Sequence, residues 1–180
     1  MTIYVIDIET LSTEFNAVVL SIGMVALTSE FKIKGKFHHT LPAEEQAARG
    51  RHICDETMAW WAKQDPKAFD VACDTSHGLS VEQVLGKFQE FIKQTRDPRD
   101  NTFWGNGSDF DNVIIKSLHT DFGYAQSLER FGNRCFRTLK NIYPHIVQPP
   151  FVGQKHNALD DALHEAAWLA KIVKTTGIKI

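Results

Sequence analysis

The sequence predicts one α/β domain in which a mixed β-sheet is flanked by helices. Its 180 residues suit a single compact core, and no linker or composition shift divides the range 1–180 into two parts. Segments with strand patterns come first, and helical segments then alternate with one more strand. This order is typical of a layered α/β structure with a mixed sheet.

Four segments have the pattern of strands. Residues 2–9 are rich in β-branched side chains and apolar on both faces until the acids begin, which predicts a buried strand. A second strand is predicted at 17–27. The segment 31–37 alternates Phe or Ile with Lys, as in a half-exposed antiparallel strand. A short central strand is expected at 102–105.

Helices are predicted at 55–64, 80–95, 108–118 and 158–175. The segment 80–95 is the clearest, because its apolar residues recur at helical spacing. In the last helix we expect the apolar stripe to run through Leu159, Leu163, Ala166 and Ala170.

The composition restricts the kind of protein. A formal net charge of -2 and a pI near 6.4 argue against a protein that wraps long nucleic acid, since such proteins are usually strongly basic. Cys54, Cys73 and Cys135 are odd in number and show no CxxC spacing, so neither a disulfide framework nor a zinc ribbon is expected. This use of cysteine fits a reducing cytoplasm, which is the expected location. No membrane span is expected, because no apolar run approaches the required length.

Asp7 and Glu9 end the first predicted strand. Residues two apart in a strand share a face, so these carboxylates project together. Adjacent carboxylates repel each other unless a cation lies between them, and Mg²⁺ and Mn²⁺ prefer carboxylate oxygens. Acids at a solvent-exposed turn would explain the same pattern, so the pair alone is a weak indication of a metal site.

A second acidic element follows the short strand at 102–105. Two glycines in the sequence Gly-Asn-Gly permit a tight strand-to-helix turn and the close approach of a ligand. Asp109 and Asp111 come next. Ser108 with Asp111 three residues later also resembles a capping box, which would make the acid a device for starting the helix. Both interpretations can hold together, because a helix N-terminus also stabilises phosphate oxygens.

The third element is His156 followed by Asp160 and Asp161. Acids in the first turn of a helix are ordinary, but the convergence of three such elements predicts a two-metal phosphodiesterase site. A histidine placed there can take the proton from the attacking water. Helical periodicity leaves open whether Asp109 or Asp111, and Asp160 or Asp161, binds metal.

Three motifs together resemble those of the DEDDh 3′-to-5′ exonucleases: Asp7-Ile-Glu9-Thr10, Phe110-Asp111 and His156-x-Ala158-x-x-Asp161. They span nearly the whole chain, and their combination is highly specific. The tryptophan pair at 60–61 and the turn at 104–107 are most similar to the small stand-alone exoribonucleases of bacteria and phages related to ribonuclease T. One departure is visible, since Asn106 lies four residues before Phe110, whereas the family more often has its Asn three residues before.

The resemblance implies an RNase H-like fold, two divalent ions (Mg²⁺ or Mn²⁺) and stepwise release of nucleoside monophosphates. The substrate would be a free 3′ end of single-stranded RNA or DNA, with RNA favoured, and relatives of this size commonly form homodimers. The resemblance implies His156 as general base and, as metal ligands, Asp7, Glu9 (also catalytic), Asp111 and Asp161. Candidate substrate-binding residues are Thr10, Leu11, Phe15, Trp61 and Asn106. Candidate phosphate contacts include Arg130, Arg134, Arg137 and Lys140.

Two other functions are compatible with these residues. An RNase H-type endonuclease would use similar carboxylates, but the His-x-Ala-x-x-Asp motif favours the exonuclease. A non-catalytic nucleic-acid-binding domain could retain the same fold. The loss of one acid would be its signature, and every expected acid is present.

Overall fold

The computed structural model describes residues 1–125, residue 128 and residues 131–180. Arg130, one of the predicted phosphate contacts, lies outside these residues. The described residues form a sheet whose strands are β1 (Thr2–Thr10), β2 (Val19–Thr28), β3 (Ile33–Thr40), β4 (Asn101–Gly105) and β5 (Asn133–Cys135). The strand order is β3-β2-β1-β4-β5. The first three strands are antiparallel, whereas β1, β4 and β5 are parallel, so the sheet is mixed as predicted.

The described helices lie on both faces of this sheet. They are α1 (Ala43–Ala47), α2 (Asp55–Trp61), α3 (Pro66–Cys73), α4 (Val81–Thr95), α5 (Asp111–Asp121), α6 (Phe136–Ile142) and α7 (Ala158–Thr176). None of the helices within the described ranges combines the length and apolarity that a bilayer span needs.

The alternation of side chains along β1 separates two cores. Tyr4 packs in the cluster that includes the buried residues of α4 and α5, whereas Ile3 and Val5 pack in the cluster that includes α7. Because the period of a strand is two residues, Asp7 and Glu9 continue the row of Ile3 and Val5. The side chains of Asp7 and Glu9 therefore point to the face of the sheet that α7 covers.

The two long helices have well-defined ends. Ser80 and Gln83 form a reciprocal capping box at the start of α4, with N···O distances of 2.9 and 3.2 Å. The Asn157 side chain accepts a hydrogen bond from the backbone of Leu159 at the start of α7, and Gly177 ends that helix with φ of 71°. These caps fix the segments predicted at 80–95 and 158–175 to within one residue.

The predicted strand at 31–37 is shifted along the chain. Phe31 lies in the turn after β2 with φ of 62°, and its backbone N–H donates to the carbonyl of Thr28. The strand therefore begins at Ile33, whose side chain is 54% exposed, while Phe37 is buried. The alternating pattern predicted from residue 31 was therefore wrong at its start, because Phe31 belongs to the turn and not to the strand.

Two predicted helices have different boundaries in the structure, and several short elements were not predicted. The helix predicted at 108–118 begins at Asp111, and its start has no side-chain cap, so the capping-box interpretation of Ser108 was wrong. The helix predicted at 55–64 ends at Trp61. The sequence analysis missed α1, α3, α6 and β5, which are too short for periodicity to reveal.

Candidate active site

A glycine in β2 brings α7 close to the acidic end of β1. Gly23 pairs with Asp7 across the antiparallel ladder. A Cβ at position 23 would lie 2.1 Å from the carbonyl carbon of Ala158, the first residue of α7. The absence of a side chain therefore allows the helix to approach the strand here. As a result, a carboxylate oxygen of Asp161, in the first turn of α7, lies within 4.8 Å of one from Glu9.

Asp111 reaches the same place from the end of β4. The side chain is 1% exposed, and its Oδ2 accepts a hydrogen bond of 2.7 Å from the backbone N–H of Asn106. Gly105 makes room for it, since a Cβ there would lie 2.9 Å from this oxygen. Asp109, in contrast, is exposed. The geometry therefore brings Asp111 rather than Asp109 to the cluster.

The loop before α7 holds His156 in a strained conformation. Its φ is 63°, a left-handed value that is uncommon for residues other than glycine. Its backbone N–H donates to Oδ2 of Asp161 at 2.8 Å. Asp160 instead accepts a hydrogen bond of 2.9 Å from the backbone N–H of Gln154, so it fixes the loop. Asp161 is thus the acid of this pair that reaches Glu9.

Burial and mutual repulsion raise the pKa values of these acids. The pKa of Glu9 rises to about 8, first because of burial and then because of Asp161 and Asp111. Burial, followed by repulsion from Asp111 and Glu165, also raises the pKa of Asp7. Burial raises the pKa of Asp111 to about 6, although the backbone N–H of Asn106 lowers it. A nearby cation would favour the ionised form of all these groups.

The donor atoms of the cluster fit a hard divalent cation. Glu9, His156 and Asp161 each offer one ligand atom, and these atoms lie within 4.8 Å of one another. Nδ1 of His156 lies 3.9 Å from Oε1 of Glu9. Carboxylate oxygens without thiolates are the ligands of Mg²⁺ and Mn²⁺ rather than of structural zinc. Buried acids that repel one another are also the setting in which a bound cation is most needed.

Glu165 is a member of this cluster that the sequence analysis missed. The buried side of α7 consists of Ala158, Ala162, Glu165, Ala166, Leu169 and Ile172. The predicted apolar stripe is correct at Ala166, which is buried, and Leu163 packs against the same core, but Leu159 and Ala170 are only partly buried. Glu165 is 7% exposed and follows Asp161 by one helical turn. The signal available in the sequence was a glutamate four residues after Asp161, within a segment rich in alanine.

Two tryptophans from α2 pack beside the histidine. The ring centroids of Trp60 and Trp61 lie 5.0 and 5.9 Å from that of His156. Trp61 is 4% exposed, and its Nε1 donates to the carbonyl of Thr10 at 2.9 Å. Trp60 is 42% exposed. As expected from helix geometry, only one of the two adjacent rings faces the core, and the other remains available at the surface.

Two cavities flank the carboxylates. The front cavity, of about 640 Å³, is lined by residues that include Asp7, Glu9, Thr10, Trp60, Trp61 and Arg137. The back cavity, of about 560 Å³, is lined by residues that include Lys140, Gln148, Phe151, Lys155, His164 and Trp168. Both cavities share Asn106, His156, Asp161 and Glu165. Asp161 and Glu165 therefore lie where the two spaces meet, whereas Asp7 and Glu9 line only the front cavity.

The predicted substrate-binding residues occupy different environments. Thr10 lines the front cavity, although its hydroxyl donates a hydrogen bond within its own loop. Asn106 lines both cavities. Leu11 is 6% exposed and packs in a core cluster with Trp61, whereas Phe15, in the loop between β1 and β2, is 62% exposed. The substrate contacts of these residues stay predictions.

Comparison with known families identifies a nuclease domain. Residues 2–173 match the family described as the 3'-5' exoribonuclease Rv2179c-like domain. No curated protein matches the chain in sequence.

Solved structures of nucleases share the fold at low sequence identity. The nuclease domain of 3'hExo, a DEDDh family member bound to rAMP, is 15% identical with a TM-score of 0.65, over 97% of this chain and 92% of that one. The zinc-bound E. coli ExoI–ssDNA complex is 16% identical with a TM-score of 0.66, over 97% of this chain and 40% of that one. Cell-death related nuclease 4 (CRN-4) is 17% identical with a TM-score of 0.60, over 97% and 64%. The predicted RNase H-like fold is confirmed.

Proposed function

We propose a metal-dependent reaction for this chain, which belongs to the 3'-5' exoribonuclease Rv2179c-like domain family. The chain hydrolyses single-stranded RNA or DNA, with RNA favoured, from a free 3′ end and releases nucleoside monophosphates. One observation carries the proposal. Carboxylates from distant parts of the sequence converge beside His156 at the junction of two cavities.

Two divalent ions, Mg²⁺ or Mn²⁺, would be held by Asp7, Glu9, Asp111 and Asp161. When bound, such ions compensate the charge that develops on the phosphate and lower the pKa of a bound water. The carboxylates supply the anionic oxygens that these cations prefer. Because burial raises the pKa values of these acids, cation binding and their ionisation support each other.

His156 is proposed to remove the proton from the attacking water. Its side chain is 33% exposed and lines both cavities. Edge-to-face packing with Trp60 and Trp61 restricts the orientation of the ring. Glu9 lies beside this histidine, with its Oε1 3.9 Å from Nδ1 of His156. This position gives Glu9 a catalytic role beside metal binding.

The two cavities suggest a path for the substrate strand. The front cavity would take the terminal nucleotide, since the exposed ring of Trp60 offers a stacking surface for a base. The back cavity would take the adjacent nucleotide, with Lys140 and Lys155 near its phosphate. The scissile phosphate would then lie between them, against the carboxylates. A homodimer and a cytoplasmic location remain expectations, and sedimentation analysis would test the first.

Labelled oligonucleotides test the direction and the chemistry. Single-stranded RNA and DNA of equal sequence, labelled at the 5′ or the 3′ end, are incubated with and without Mn²⁺. We expect a ladder that shortens one nucleotide at a time from the 3′ end, released monophosphates, and complete loss of activity with a chelator. A circular RNA should survive. Cleavage of the circle would indicate an RNase H-type endonuclease, and binding without cleavage would indicate a non-catalytic domain.

A further inference from the structure

One carboxylate oxygen of the buried Glu165 has no protein partner among the described residues. Its side chain is 7% exposed, and Oε2 is buried without a hydrogen-bond partner among the described residues. Within the same residues it forms no ion pair. Leaving a buried charged or polar oxygen unpaired is costly, so an unpaired glutamate on the packed side of a helix requires an explanation.

The surroundings of Glu165 do not supply that partner from the protein itself. Its electrostatic neighbours include Asp111 and Asp161, and Glu165 in turn acts on Asp7. Lys140 is the favourable neighbour, but its Nζ lies over the rings of Phe136 and Trp168, at 5.4 and 5.3 Å from their centroids. The Asn106 side chain also favours the ionised form of Glu165 through a hydrogen bond. Neither of them reaches Oε2 as a hydrogen-bond donor.

A structural role as a neutral carboxylic acid is the simpler alternative. A neutral acid would carry a proton that also needs an acceptor when it is buried. Glu165 instead lines both cavities, at the place where they meet beside Asp161. The unpaired oxygen therefore belongs to a side chain that lies beside the acids proposed to hold the cations.

We infer that Glu165 is a fifth carboxylate of the cation site, in addition to the acids of the three motifs. It binds a divalent ion through Oε2, either directly or through a water bound to that ion. This inference rests on the proposed function, because it requires that Asp7, Asp111 and Asp161 hold cations. Its consequence is that the free enzyme binds a divalent ion more tightly than the motif acids alone would allow, before any nucleic acid arrives.

Mn²⁺ binding to the free protein tests this inference. Glu165→Gln keeps the shape of the side chain and removes its charge. Titration calorimetry without nucleic acid should show that the Kd for Mn²⁺ rises at least about tenfold, the scale reported for residues that support a metal site. The increase in Tm that Mn²⁺ gives the wild-type protein should become smaller. Asp160→Asn is the matched control, since it removes a charge from the same helix and its carboxylate is used by the loop.

The outcomes separate this inference from the proposed function. If the wild-type protein binds no Mn²⁺, the proposed function fails, and the inference fails with it. If the wild type binds Mn²⁺ and Glu165→Gln binds it with the same Kd, the proposed function stands and Glu165 is a structural acid. If Glu165→Gln does not fold, Glu165→Met replaces it, because Ala166 and Leu169 give the position apolar neighbours. The same rise in Kd is expected for that variant, and an unchanged Kd overturns the inference.

Discussion

The helices α4 and α7 cover opposite faces of the same sheet but differ in what they bury. The buried residues of α4 are Val81, Val84, Leu85, Phe88, Ile92 and Thr95. Those of α7 are Ala158, Ala162, Glu165, Ala166, Leu169 and Ile172. Fully burying a large apolar side chain contributes about 1.5–3 kcal/mol, and α4 provides more of these. On α7, small residues and a glutamate replace them near the active site.

The buried side of α4 therefore mainly stabilises the fold, whereas the buried side of α7 mainly places acids at the candidate site. Alanines at the start of α7, together with Gly23 of β2, permit an approach that large side chains would prevent. The approach brings Asp161 and Glu165 to the acids of β1, where repulsion and burial oppose their ionisation. We therefore expect substitutions on the α7 side to change activity, and substitutions on the α4 side to change stability.

The largest expected effect is the loss of activity when a motif acid is removed from the face of the sheet that α7 covers. Asp111→Asn and Asp161→Asn keep the side-chain volume but remove an anionic metal ligand. Losing several kcal/mol of transition-state stabilisation corresponds to a fall in kcat of about 10³-fold or more. Turnover at saturating Mn²⁺ is the measurement, with thermal melts to verify folding. A folded variant that keeps a tenth of the wild-type rate would show that the acid is not a ligand.

The next largest fall in kcat is expected for His156→Ala. Loss of a general base lowers kcat by about 10²- to 10⁴-fold, while binding of the oligonucleotide should change little. The ionisation on the acidic side of the pH-rate profile should also disappear. Steady-state kinetics from pH 5 to 9 measure both quantities. A higher KM with unchanged kcat would make His156 a positioning residue instead.

On the opposite face, Phe88→Ala should reduce stability without affecting chemistry. Phe88 is fully buried in α4 and packs edge-to-face on Phe37 at 5.5 Å between centroids. Truncating a buried phenylalanine costs about 3–5 kcal/mol of the free energy of unfolding. Urea denaturation measures this loss, and kcat is compared at a temperature where the variant is folded. A large fall in kcat there would contradict the separation of the two faces.

The same contrast explains which parts could be predicted from the sequence. The segments 2–9, 80–95 and 158–175 have long, regular patterns, and the structure contains each of them. The meeting of Asp7 with Asp111 follows from a general property of sheets, since β1 and β4 are parallel neighbours and their carboxyl ends lie at the same edge. The motifs predicted that these acids converge, and the parallel pairing of β1 and β4 in the structure gives the physical reason.

Glu165 could not be predicted by the same reasoning. The helical wheel of α7 was oriented by its leucines, whereas the structure orients it by the contact between Ala158 and Gly23, which lie far apart in the sequence. Phe31 is a second example, because a turn with positive φ overrides the alternating pattern of its segment. Both failures come from contacts or backbone conformations that a local pattern does not contain.

A further effect on stability is expected from pH in the absence of metal. The pKa of Glu9 is about 8 in the folded protein and near 4.5 in an unfolded chain. Between these values the folded state binds more protons at Glu9, so the free energy of unfolding falls as pH rises, by at most about 1.4 kcal/mol per pH unit for one group. Chelator-treated protein should therefore melt at lower temperature at pH 9 than at pH 5. Glu9→Gln should flatten this slope, and saturating Mn²⁺ should do the same. An equal slope in the variant would contradict the prediction.

The smallest effects are expected for the two acids next to the motif positions. Asp109 is exposed, and Asp160 uses its carboxylate to accept the backbone N–H of Gln154. Asparagine retains an oxygen that can accept this hydrogen bond, so Asp109→Asn and Asp160→Asn should leave most of the activity. Each should cost at most about 0.3–1 kcal/mol of stability, the size of a charge effect at a helix terminus. Parallel kinetics and melts with Asp111→Asn and Asp161→Asn measure the difference within each pair. A folded but inactive Asp109→Asn or Asp160→Asn protein would reverse the assignment of the metal ligands, because neither side chain would then be only a neighbour of the site.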